Sequence, residues 1–165
     1  RRPVWVFLVE NIRGMNGVTM WPKGGSAMVT VKQVGQAIAG ALERNKGGFC
    51  YPIGYYNYSW KQLLKVCHKT MGVPNKKIIT IPDWMFALGG LQIMQDYKKR
   101  GIQGGLHMVK FAKIQCNWLY IDKSLGCDFL GVEPDDIDAA IADSVQLCID
   151  ILDNKAGNIV AMKGE

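Results

Sequence analysis

Apolar residues recur at helical spacing near the end of the chain. Ile137, Ile141, Val145, Cys148 and Leu152 line one face, which predicts a long amphipathic helix. Pro134, Asp135, Asp136 and Asp138 mark its start, because proline suits a first turn and carboxylates suit the positive end of a helix dipole. Before it, the pattern predicts a short strand ending at Asp122, a short helix, and the break Leu130-Gly131-Val132-Glu133-Pro134.

At the other end, Val4 to Val9 is apolar on every face, so its period fits helix or strand equally. Arg13-Gly14 and Asn16-Gly17 end it. Val18 to Trp21 reads as a strand, Pro22 to Ser26 as a loop, and Met28 to Val31 as strand again. Val34, Ala37, Ile38, Ala41 and Leu42 predict one face of a helix that stops at Asn45 to Gly48. Phe49 to Ile53 reads as a strand and Gly54 to Asn57 as a turn. Ser59 and Gln62 form a capping box for a helix carrying Trp60, Leu63, Leu64, Cys67 and Met71. Lys77 to Ile81 is a strand. Pro82 opens an apolar helix reaching Lys99, Gly101 to Gly105 is a break, and a helix follows near Leu106 to Ala112. Residues 156–165 lack periodicity and read as a loose tail, leaving 1–155 as one domain.

The 165 residues hold enough apolar side chains for one core. The longest wholly apolar run, Val4 to Val9, is far below the ~20 residues of a membrane span. Arg1-Arg2-Pro3 does not form a secretory leader, so a cytoplasmic location is expected. The abrupt hydrophobic start, with no initiator Met, predicts a truncated or processed product. The five cysteines are odd in number and include no CxxC pair. They read as buried small hydrophobes rather than disulfides or zinc ligands. His68 and His107 have no second ligand at i+4 and are not read as metal sites.

Charge is uneven. Residues 1–77 carry twelve Lys and Arg against Glu10 and Glu43, and residues 78–165 carry eight against twelve Asp and Glu. A basic half attracts phosphate or nucleic acid. Lys61, Lys65 and Lys69 fall at i, i+4 and i+8, the spacing of a solvated helix face. No basic-aromatic RNA-binding module is present, so nucleic acid is not an expected partner.

Three segments carry a resemblance when taken in order: MVTVKQVGQAIAGALE at 28–43, GGFCYPIGYYNYSWKQLLKVCHKTMG at 47–72, and YIDKSLGCDFLGVEPDDIDAAIADSV at 120–145. Together they resemble the C-terminal, substrate-binding half of the extended short-chain dehydrogenase/reductase family, of the NAD(P)-dependent nucleotide-sugar epimerase and dehydratase type. The resemblance implies a helix-rich α+β substrate domain with short strands, taken from a parent with an N-terminal NAD(P)-binding Rossmann fold that is absent here. It also implies NAD or NADP in the complete parent and none on this chain alone.

The residues agree with that absence. Gly14 and Gly17 fit a GxxGxxG rhythm, but Met20 stands in the third place and no strand–turn–helix surrounds them. No Tyr has Lys four positions on, so the phenol–ammonium pair that exchanges a proton during hydride transfer is not formed. Two departures put an ordinary uridine-diphosphate sugar in question. Gln33 stands where the family's turn has Asp, and Gly24 to Met28 holds no Arg for a diphosphate.

From the resemblance, the expected substrate-binding residues are Trp21 (packing on a base), Lys23 (meeting a phosphate) and Tyr55 in an aromatic turn. Arg100, Lys110 and Lys113 flank a stretch where a cationic phosphate ligand is often placed. The expected ligand is a nucleotide-sugar-like small molecule, with no catalytic, cofactor-binding or metal residue on this chain. A catalytically silent relative that senses dinucleotide or binds a partner is the alternative. Residues 4–9 are expected to pair with the missing cofactor domain or with a second copy of the chain, because six apolar residues do not all fit one small core.

Overall fold

The computed structural model describes residues 4–45, 47–101 and 107–153. The expected tail lies outside them, as does all of the break at 101–105 except Gly101. The architecture is α+β, with helices predominating over a few short strands.

Val4 to Val9 is helical, inside α1 (Val4–Gly14). A helix turns Val6, Val9 and Ile12 to one side, and all three are buried. They meet α7 (Ile137–Leu152), the helix predicted from the terminal stripe, whose Ile137, Ile141, Val145 and Cys148 are all buried. Asp136 caps α7 by accepting from the Ala139 N–H at 2.9 Å. The far ends of α1 and α7 are tied by Arg13 and Asp153, 2.8 Å apart. The Lys76 ammonium donates to the carbonyls of Ile12, at 2.8 Å, and Met15. It thereby satisfies C-terminal carbonyls of α1 that have no helical partner.

The third wall of this core is α3 (Trp60–Thr70), which buries Leu63, Leu64, Cys67 and His68. Its start is the predicted capping box, Ser59 with Gln62. Lys61, Lys65 and Lys69 are exposed, as a solvated face requires. Full burial of one side chain such as Leu64 contributes about 1.5–3 kcal/mol, so the shared faces of α1, α3 and α7 dominate stability.

Two small sheets flank this core. β1 (Val18–Pro22) and β4 (Lys77–Ile81) pair in parallel, with Pro22 opposite Ile81. β2 (Gly25–Met28) pairs antiparallel with β3 (Tyr56–Ser59) and parallel with β5 (Trp118–Leu119). Gly24 and Gly25 allow the crossing between the sheets. Gly24 has φ +120°, and a Cβ there would stand 2.6 Å from the Gln115 carbonyl oxygen and 2.7 Å from that of Asn117.

Several expected boundaries are corrected. Met28 to Val31 is not continuous strand, because Thr30 and Gln33 form a second capping box and open α2 (Val31–Arg44). Phe49 to Ile53 forms no strand, having no neighbour to pair with. The strand lies at Tyr56–Ser59 instead, beginning within the expected turn and running past it, because the edge of β2 is there to receive it. α2 also presents a different face. It buries Gln33, Ala37 and Gly40, while Val34, Ile38 and Leu42 are exposed. Gly40 sits so close to α6 (Cys127–Leu130) that an added Cβ would lie 1.9 Å from the Leu130 carbonyl oxygen.

α4 (Asp83–Lys99) follows Pro82 as expected. It packs on α5 (Met108–Gln115), two residues later than the predicted start. His107 is the N-cap of α5, its ring accepting from the Lys110 N–H.

Candidate functional site

The parallel register of β1 and β4 brings the loop after β1 beside the first turn of α4, at the carboxyl ends of the strands. Lys23 leaves one strand; Pro82, Asp83 and Trp84 leave the other. Between them lies an open cleft of 660 Å³ lined by Lys23, Thr80, Ile81, Pro82, Asp83 and Trp84. It is a shallow depression, open to solvent over most of its extent. The carboxyl ends of parallel strands are also where open α/β sheets bind ligands.

The cleft combines charge of both signs with an aromatic surface. The Lys23 ammonium lies 3.6 Å from an Asp83 carboxylate oxygen, and both side chains are about half exposed. An exposed ion pair of this kind contributes ~0–1 kcal/mol, so Lys23 is readily given up to a stronger anion. Trp84 presents its ring to solvent at 63 % exposure. Trp21 is not in the cleft's lining: half-buried, it packs against the core and on Phe86, with ring centroids 5.8 Å apart. Cys116 is buried against Asp83, and burial first, then that carboxylate, pushes its thiol up. A thiol raised in this way is a poor nucleophile.

Of the residues expected in a site, Lys23 lines the cleft, while Trp21, two residues before it, is turned to the core. Lys113 belongs to the same end of the molecule, since α5 runs back along α4 and its last turn lies beside Asp83 and Gly24. Lys110, exposed, stands about one turn further away. Arg100 lies outside the cleft. α4 has 17 residues, about 25 Å of rise, and Arg100 at its far end pairs with Asp96 at 3.0 Å.

Tyr55 is also elsewhere. Its N–H donates to the Met28 carbonyl at 3.1 Å. That puts it at the opposite end of four-residue β2, roughly 13 Å of strand from Lys23. There the Lys123 ammonium lies 5.1 Å from the Tyr55 ring centroid. Lys123 is held up first by Asp128, 3.4 Å away, and then by Tyr55.

Sequence reasoning missed Asp83 and Trp84. Their signal was the proline after β4 that opens α4, which only the pairing of β1 with β4 places beside Lys23.

Gln33, the departure from the family's turn, is an internal latch. It is fully buried, accepts from the Thr30 N–H at 3.1 Å and donates to the Glu133 carbonyl at 2.9 Å. Next to it the Thr30 hydroxyl donates to Asp135 at 2.6 Å and holds that carboxyl below its usual range. The Tyr56 hydroxyl accepts from the Asp135 N–H at 2.7 Å. Residues from all three segments that carry the resemblance thus meet around Asp135. His68 is a core residue, its ring 2.9 Å from the Thr19 hydroxyl. Among the described residues no cluster of His, Cys, Asp and Glu is arranged to hold a metal, and no helix is long and apolar enough to cross a membrane.

No family model, curated protein or solved structure matches this chain.

Proposed function

We propose that this chain is the substrate-binding portion of an NAD(P)-dependent epimerase, dehydratase or reductase acting on a nucleotide-linked sugar or a related small molecule. The observation that carries the reading is the cleft at the carboxyl ends of β1 and β4. An ammonium suits a phosphate there, the Trp84 indole face suits a base, and a carboxylate suits sugar hydroxyls. The meeting of the three resembling segments around Asp135 supports the same reading. The dinucleotide turn and the Tyr–Lys pair belong to another part of the parent in this reading. The chain supplies binding and orientation of the substrate.

Calorimetric titration of the chain with a panel of nucleoside-diphosphate sugars, and separately with NADH, tests this. Binding of at least one sugar nucleotide is expected, weakened about tenfold by Lys23→Ala, since loss of one charge-assisted contact is worth ~1.5 kcal/mol or more. Trp84→Ala weakens it as well, and NADH gives no heat. Micromolar binding of NADH, or sugar-nucleotide affinity indifferent to both substitutions, sinks the reading.

A further inference from the structure

α4 packs on α5 and β1 with one side and leaves the opposite side uncovered. Phe86, Gly90, Ile93 and Tyr97 stand at i, i+4, i+7 and i+11 and are buried or half-buried. Trp84, Leu88 and Leu91 repeat the same spacing on the outward side, and all three are exposed, Leu88 at 52 %. Two turns further on, Lys98 and Lys99 fall on either edge of that same line and are exposed as well. The outward face is therefore apolar along its first turns and cationic in its last.

Nothing within the chain neutralises those two cations. The carboxylates of α4 are already taken, Asp83 by Lys23 and Asp96 by Arg100. Among the described residues Lys98 and Lys99 take part in no ion pair. Between Asp96 and Asp122 the sequence holds no acidic residue.

We infer that the outward face of α4 docks on an anionic lipid surface, with Trp84, Leu88 and Leu91 entering the interface and Lys98 and Lys99 meeting the headgroups. Charge decides against a second copy of the chain. Packed in parallel, two α4 helices set Lys98 and Lys99 against their own images. Packed antiparallel, they set them over the other copy's Lys23 and the positive end of its helix dipole. Area decides against a folded protein. Trp84 to Leu91 spans roughly 11 Å of helix axis, too little for the ~800 Å² per partner of a stable protein interface. A lipid surface needs no complementary shape. Tryptophan favours the headgroup level of a bilayer. Lysine stems lie along the apolar surface while their ammoniums reach anionic headgroups. An interfacial helix lies in the membrane surface without crossing it. α4 is already folded against α5, so docking carries no cost of forming the helix. The inference is independent of the proposed function, because Leu88, Lys98 and Lys99 lie outside the cleft.

The test pellets the full chain with vesicles of phosphatidylcholine and phosphatidylserine, and in parallel with vesicles of phosphatidylcholine alone. Binding to the anionic vesicles is expected to be stronger by about tenfold or more and to weaken with added salt. Leu88→Asp, and separately the pair Lys98→Gln with Lys99→Gln, should each weaken it by about tenfold or more, while thermal unfolding stays unchanged because all three side chains are already exposed. Brominated lipids should quench tryptophan fluorescence in the native chain and less in Trp84→Phe. Absence of vesicle binding, equal binding to both kinds of vesicle, or indifference to Leu88→Asp overturns the docking. So does displacement from the vesicles by inorganic phosphate, which would make the cations a free-phosphate site. Sedimentation without vesicles that reveals a dimer dispersed by Leu88→Asp overturns it too, in favour of a second copy.

Discussion

His68 is the residue whose environment most directly predicts a measurable behaviour. It is fully buried beside Thr19, and burial first, then the nearby Lys76 ammonium, lowers its pKa below the ordinary 6.5. The folded protein therefore holds the ring neutral at a pH where the unfolded chain takes up a proton. The stabilisation is fully present above pH 6.5 and is lost progressively as pH falls below it toward the folded-state value. Thermal midpoints should be insensitive to this group between pH 7 and 8 and should drop below pH 6.5. Removing the titrating ring with His68→Gln should flatten that drop, read as the difference between the two pH profiles. Equal slopes for both proteins would show that another group carries the acid sensitivity. Tyr58 behaves oppositely. Burial and its hydrogen bond to Asp138 push it up to about 12, so it stays protonated over the whole working range.

At the scale of elements, the outcome for each helix follows from what a periodic pattern does and does not encode. α7 was legible down to its register because Ile137, Ile141, Val145 and Cys148 form a single stripe with a marked start, and all four are buried. Ile141→Ala should therefore cost ~2–5 kcal/mol in urea unfolding, whereas Leu147→Ala, on the exposed face, should stay within about 0.5 kcal/mol. α2 was legible as a helix, but its buried face was not. Amphipathic spacing identifies an apolar stripe without naming what covers it, and here the close approach at Gly40 selects the small-residue face for α6. The strand expected at Phe49–Ile53 failed for the same reason in the other direction. A strand exists only with a neighbour, and sequence reports propensity alone. Gly40→Ala tests this view of α2. The added methyl meets the Leu130 carbonyl, so α2 and α6 must separate, and a loss of ~1–3 kcal/mol is expected. An unchanged midpoint would mean that the crossing is looser than the structure has it.

Across the whole molecule, the candidate site was half legible. Lys23 directly follows the predicted strand and its loop proline, so its place at a strand end required no knowledge of the fold. Asp83 and Trp84 lie some sixty residues away and reach the cleft only through the parallel pairing of β1 with β4. Tyr55 and Arg100 were drawn in by the resemblance and separated from the cleft by a strand length and a helix length.

The same comparison relocates the outward-facing hydrophobic surface. Residues 4–9 were expected to need an outside partner, because an all-apolar segment has no polar face to give to solvent. Within a helix, Val6 and Val9 enter the core with Ile12, Trp5 and Leu8 are half-buried against it, and Phe7 stands out at 51 % exposure. One exposed ring over a shallow 380 Å³ groove with Glu10, Asn11, Gly14 and Met15 is a small surface beside the full-length stripe of α2. Phe7→Asp should accordingly shift the unfolding free energy by no more than about 0.5 kcal/mol and leave the sedimentation behaviour of the chain as it was. Val9→Asp places an unpaired carboxylate in a fully buried site and should cost several kcal/mol, enough to unfold a domain of ordinary stability. The two substitutions lie two residues apart on one helix and introduce the same charge, so a helix-propensity effect would move both alike. Dissociation of an assembly by Phe7→Asp would instead assign an interface to α1.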